Sequence, residues 1–150
     1  TCQVYGGTFQ QFAERLQERG VAVNYPGLES HPDHGLFRRL HCADYGFGGI
    51  LTLDMGTQET AYRLMDMLQN DYRFGYMAVS LGYFDTLMSC SGSTTSSEMT
   101  EEDKLEAGIS PGLVRMSVGY TGTTEQRWRQ LQNALDRLII KGPGPIRETA

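Results

Sequence analysis

Arg115 stands in the middle of Leu113-Val114-Arg115-Met116-Ser117-Val118. In a strand, alternation puts Arg115 and Ser117 on one face and Val114, Met116 and Val118 on the other. A guanidinium in so short an apolar strand needs a partner or water, and its planar fork suits a carboxylate held by two parallel N–H bonds. Three partners are open on these residues alone: a ligand's carboxylate, an acid of the same chain, or solvent over an exposed sheet face. Ser80 closes an extended run just before Leu81-Gly82. A hydroxyl and fresh N–H groups at a strand end can bind an anion, although a turn serine has the same composition. Thr94-Thr95-Ser96-Ser97 reads as a hydroxyl-lined wall or as a plain polar loop.

Other groups offer less chemistry. His31, Asp33, His34, His41 and Cys42 do not follow a common zinc spacing, and no second cysteine pair follows them, so no metal site is expected. His31-Pro32-Asp33-His34 reads better as a turn entering a helix. Gly46, Gly48 and Gly49 fail to complete G-x-G-x-x-G and precede a strand, which argues against a dinucleotide site. The two lysines, Lys104 in an expected exposed helix and Lys141 in the tail, lack the apolar setting that prepares an amine for Schiff-base chemistry. No nucleophile–base arrangement stands out, so no catalytic group is expected in this chain.

The elements that position these residues follow from hydrophobic periodicity. Phe9, Phe12 and Leu16 mark one face of a helix stopped by Gly20. Val21 to Tyr25 is a short extended run, followed by a short helix around Leu36 to Leu40 and a strand at Ile50-Leu51-Thr52-Leu53. Thr57 caps a helix whose stripe is Ala61, Leu64, Met65 and Leu68. Phe74 to Ser80 and Phe84 to Met88 are two further extended runs. Thr100 and Asp103 form a capping arrangement before a helix that stops at Gly108. Leu113 to Val118 is the last strand, and a final helix spans about Thr124 to Leu138. This order predicts an α+β fold, a mainly antiparallel sheet with helices packed on one face. One domain is expected over residues 1–138, with a flexible tail over 139–150.

The chain has 150 residues, enough for a single self-sufficient core. A net charge of −5, with no basic cluster beyond Arg38-Arg39, argues against a nucleic-acid partner. No apolar run approaches the roughly 20 residues that span a bilayer. Three widely spaced cysteines do not suggest a disulfide framework, so a cytoplasmic protein with reduced thiols is expected. No signal peptide opens the chain, and Thr1 in place of Met leaves an upstream natural start open.

Several stretches, taken together, resemble one enzyme family. Tyr25-Pro26-Gly27-Leu28-Glu29-Ser30-His31-Pro32 is similar to the Y-P-G-L-x-S-H-P segment of the trans-sulfuration enzymes, the methionine γ-lyase and cystathionine γ-synthase group. Phe47-Gly48-Gly49 resembles their F-G-G, and Ala78-Val79-Ser80-Leu81-Gly82 their A-V-S-L-G. The segment Ser93 to Met99 resembles S-M-T-H-x-x-M, and Ala107 to Gly119 resembles A-G-I-x-D-G-L-I-R-L-S-V-G. The order and spacing agree over roughly residues 8 to 138.

The resemblance implies the small C-terminal domain of a fold-type I enzyme that uses pyridoxal 5'-phosphate. The catalytic lysine would belong to a large partner domain, the substrate would be a sulfur-containing amino acid, and the parent would be a homotetramer. Carried over residue by residue, it makes Arg115 and Ser80 grips for the substrate carboxylate, with Leu81 contributing its backbone and Thr95 lying near the cofactor. Three positions depart from the family pattern: Tyr83 replaces a glycine, Ser96 a histidine, and Tyr120-Thr121-Gly122 an acidic segment. They lie near the substrate side and leave γ-elimination, γ-replacement and β-elimination open. A stand-alone amino-acid-binding or regulatory module is the alternative expectation.

Overall fold

The computed structural model describes residues 2–92 and 98–140. Helices and strands follow in the order α1 (Cys2–Glu18), β1 (Ala22–Asn24), α2 (His34–Leu40), β2 (Leu51–Asp54), α3 (Gln58–Asp66), β3 (Gly75–Met77), β4 (Thr86–Cys90), α4 (Glu101–Glu106), β5 (Leu113–Ser117) and α5 (Thr124–Ile140). A 3-10 turn at Ala43–Tyr45 precedes β2, and one π turn at Met67–Asp71 extends α3.

Local signals place most of these ends. α1 buries Phe9, Phe12, Ala13 and Leu16, the stripe expected of one helical face. It ends where Gly20 takes φ +72°. There the Gly20 N–H donates to the Gln17 carbonyl at 2.9 Å and the Val21 N–H to the Leu16 carbonyl at 3.0 Å, a Schellman closure. The Thr57 hydroxyl accepts from the Thr60 N–H at 3.2 Å and caps α3. α4 opens on a reciprocal box in which the Asp103 N–H donates to the Thr100 hydroxyl and the Thr100 N–H to the Asp103 carboxylate, each at 3.2 Å. The Thr100 hydroxyl, which donates to that carboxylate at 2.6 Å, and after it the Thr100 N–H lower the Asp103 carboxyl from its usual value. α5 continues to Ile140, and residues 141–150 lie outside the described residues.

The strands form one sheet in the order β1-β2-β5-β4-β3. Its first three neighbour pairs are antiparallel, and β3 pairs with β4 in parallel. The sheet is therefore mixed but mainly antiparallel, with helices over one face. The rows Leu51–Met116–Met88 and Leu53–Val114–Cys90 face α1, α3 and α5 and join their apolar side chains in one core. α1 meets α5 through Phe12 edge-on to Trp128 at 5.8 Å. Ion pairs Arg15–Glu125 and Arg19–Asp136 flank that seam. The two extended runs expected at Phe74–Ser80 and Phe84–Met88 are trimmed to β3 and β4. Gly75 permits their close approach: a Cβ there would lie 2.3 Å from the Thr86 carbonyl oxygen. Residues 78–85 connect the two strands across the face of the sheet away from the helices. Among the described residues, no helix is long and apolar enough to cross a membrane.

Candidate functional site

The register of the sheet builds the site. Thr52 on β2, Arg115 on β5 and Ser89 on β4 pair in one row, so all three side chains share the face away from the helices. Val114 and Met116, the neighbours of Arg115 along β5, are fully buried on the core face. That alternation makes Arg115 a rigidly mounted side chain whose backbone cannot shift without moving the core.

Arg115 is half-buried, and its Nη2 donates to the Ser80 carbonyl oxygen at 3.1 Å. The two residues singled out from sequence, 35 positions apart, thus meet directly. No carboxylate among the described residues forms an ion pair with Arg115. Asp54, an acid on the same sheet face, is already occupied: it accepts from the Ser110 hydroxyl at 2.6 Å and the Gly56 N–H at 2.8 Å. A charged fork that spends an Nη2 donor on a neutral carbonyl retains capacity for an anion. Beside it, Ser89 is 4% exposed and its Oγ is buried without a hydrogen-bond partner. The Ser80 and Leu81 side chains are exposed and, with Tyr76, Ala78, Tyr83 and Leu87, line an open concavity of about 380 Å³. The N–H that reaches the sheet here is that of Gly82, which donates to Ser117 Oγ at 3.5 Å. Thr95 lies outside the described residues.

Arg127 on α5, which the sequence reading did not single out, ties the segment before β3 to Asp85 at the end of the 78–85 connection. It is 7% exposed. Its Nε donates to the Thr121 carbonyl at 2.7 Å, and its Nη1 donates to the Arg73 and Phe74 carbonyls at 3.0 and 2.9 Å. Nη2 pairs with the Asp85 carboxylate at 2.7 Å. The guanidinium therefore ties the residues before β3, the residue before β4 and the loop after β5 to one helix. Arg73 is the non-glycine residue held at positive φ, +51°, and its carbonyl is one of these acceptors. A signal was present: Arg127, Leu131, Ala134 and Leu138 share the i, i+4, i+7, i+11 stripe, and a cation on an apolar stripe demands a buried partner.

Two of the histidines pack on an aromatic ring, and His31 Nδ1 accepts from the Asp33 N–H at 3.1 Å. The His34 and His41 rings stack on Phe47 at 4.9 and 4.7 Å, and His34 Nδ1 lies 2.8 Å from the Pro26 carbonyl. No group among the described residues has the arrangement of a metal site. Cys42 is exposed, and Cys90 is buried with its thiol donating to the Pro111 carbonyl at 3.4 Å. Lys104, the single lysine of the described residues, sits in the capped helix α4. Tyr25 is buried against Phe9 and donates to the Gly48 carbonyl at 3.2 Å; burial pushes its phenol up to about 12.

The family model described as "Cys/Met metabolism PLP-dependent enzyme" matches residues 8–136. A methionine gamma-lyase of Arabidopsis thaliana is 59% identical over 129 residues, which are 86% of this chain and 29% of that protein. Among solved structures, cystathionine gamma synthase from Xanthomonas oryzae pv. oryzae in complex with aminoacrylate and cysteine superposes with a TM-score of 0.78. It is 31% identical, covering 91% of this chain and 34% of that one. The cystathionine gamma-lyase from yeast gives a TM-score of 0.79 at 27% identity, covering 90% of this chain and 34% of that one. The chain thus spans about a third of the length of the relatives it matches.

Proposed function

We propose, for a chain that belongs to the Cys/Met metabolism PLP-dependent enzyme family, that its Arg115–Ser80 site holds the α-carboxylate of a sulfur-containing amino-acid substrate. The observation that carries this reading is Arg115 itself: a guanidinium fixed in the sheet, without an acid of its own among the described residues, bonded to the carbonyl of Ser80, a residue that lines an open concavity. A bidentate pair with a carboxylate satisfies the fork better than the single bond to the Ser80 carbonyl. Ser80 presents its hydroxyl beside that pair, and Leu81 contributes its backbone along the same crossing segment, while the Gly82 N–H is held by Ser117 Oγ. Gripping the carboxylate removes rotational freedom from the amino acid, and so selects which bond at Cα faces the cofactor.

Pyridoxal phosphate, when bound, supplies the electron sink for that chemistry. The residues described fit the substrate side of such a cofactor and not its anchor, because Lys104 is committed to α4. The covalent anchor and phosphate grip are assigned to a large domain of a longer protein. The reading takes Thr95 to lie near the cofactor, as the resemblance implies, and takes a cytoplasmic homotetramer as the assembly. The name of the Arabidopsis relative makes methionine the first substrate to try.

Kinetics of the full-length protein test the proposal. Arg115→Ala is expected to cost about 2–5 kcal/mol in kcat/KM, most of it through KM for amino-acid substrates, as breaking a hydrogen-bonded charge pair does. Unchanged KM and kcat for the variant would refute the role of Arg115.

A further inference from the structure

We propose that Ser89 is a positioning residue of the carboxylate site, acting through Arg115. The inference rests on the carboxylate reading of Arg115 and adds a residue to it. Ser89 lies directly across the β4–β5 ladder from Arg115. Side chains of directly opposed residues project from the same face, with Cβ atoms roughly 4.5–5.5 Å apart. Buried polar atoms almost always find a partner, yet the Ser89 Oγ is buried and has none. Its flanking partner on the same face, Ser91, is also buried, while Met88 and Cys90 point into the core, so the hydroxyl cannot turn toward solvent without opening the strand.

The chemistry of the two groups explains the orphan. Arg115 carries only donors and Ser89 Oγ has two acceptor lone pairs, so the pair is complementary. Without a ligand, Nη2 of Arg115 reaches instead to the Ser80 carbonyl. A carboxylate arriving beside Ser80 competes for that Nη2, because an anion is the stronger acceptor. As the guanidinium turns from Ser80 toward the ligand, one of its remaining N–H groups comes to the Ser89 hydroxyl. The unpaired hydroxyl therefore destabilises the ligand-free arrangement, and pairing it favours the engaged one. Ser89 fixes the angle at which the fork meets the carboxylate.

This role separates stability from binding, which an ordinary structural serine would not do. The test uses the full-length protein with L-norleucine, which keeps the carboxylate but lacks sulfur, and n-pentylamine, its counterpart without the carboxylate. Affinities come from calorimetry and stability from the melting temperature. Ser89→Ala is expected to weaken norleucine binding about five- to ten-fold, the span of one net hydrogen bond. It should leave pentylamine binding and the melting temperature unchanged or raise the latter, and Ser89→Thr should restore norleucine affinity. Norleucine affinity unchanged in Ser89→Ala, with Arg115→Ala still losing it, overturns the role of Ser89 alone. Loss of both ligands, or a lowered melting temperature that Ser89→Thr fails to rescue, shows a merely structural serine and also overturns it. Norleucine affinity unchanged in Arg115→Ala removes the carboxylate reading, and the role of Ser89 with it.

Discussion

Replacing Arg127 by methionine removes one guanidinium and strands several partners at once. The side chain is 8% exposed and its partner Asp85 16% exposed, so neither charge is shared with bulk water. Methionine keeps much of the apolar stem but leaves the Asp85 carboxylate unpaired and takes a donor from the Arg73, Phe74 and Thr121 carbonyls. Breaking a buried pair by removing one partner costs about 3–5 kcal/mol. For a chain of this length that corresponds to a fall in melting temperature of roughly 6–20 °C. Trp128 is the single tryptophan of the chain, 8% exposed and next to Arg127 in sequence, so its fluorescence follows urea unfolding from inside the affected region. A double-mutant cycle with Asp85→Ala isolates the pair, because once Arg127 is gone the second change should cost far less than it does alone. A cost below about 1 kcal/mol for Arg127→Met, or additive effects in the cycle, would show that the network does not hold the 78–85 connection in place.

Three further predictions concern the frame and the site. The Tyr25 phenol is raised from its usual 10 to about 12 by burial, so the fold favours its neutral form. That contribution is intact below pH 10 and is lost as pH rises toward 12; by pH 11 the protein should lose on the order of 1 kcal/mol more than Tyr25→Phe does, measured by urea unfolding at pH 9 and 11. A Cβ on Gly119 would meet the Asp85 backbone at 2.4 Å, where no side chain can yield. Gly119→Ala is therefore expected to destabilise by about 1–3 kcal/mol in the same assay, and an unchanged midpoint would show that the β5–α5 loop can shift. Arg115→Ala, as argued above, should act on substrate binding; its midpoint in urea should stay close to that of the parent.

α1, α3 and α5 were legible because each has an apolar stripe, and α1, α3 and α4 through a local stop or cap at Gly20, Thr57 and Thr100. Strands β2 and β5 were legible within a residue, since alternation around Thr52 and Arg115 reflects two unlike faces. β3 and β4 were visible as extended runs, but their parallel pairing depends on contact between Gly75 and Thr86, which no local pattern records. Phe74 illustrates the same limit: it reads as strand, yet it is a buried plug just before β3 whose carbonyl belongs to Arg127. At the site, the residues of the proposed carboxylate grip were visible singly, and family resemblance suggested their roles. The meeting of Arg115 with Ser80 needed the fold. Ser89 was out of reach from sequence, because a serine in a strand has a partner or lacks one only in three dimensions.

The central claim is that Arg115 receives the carboxylate of an amino acid. A crystal structure of the full-length protein with L-norleucine bound tests it most directly. The account predicts the ligand carboxylate within hydrogen-bond distance of two Arg115 nitrogens, with Nη2 drawn away from the Ser80 carbonyl. A carboxylate held by other residues, with Arg115 still donating to Ser80, would contradict it.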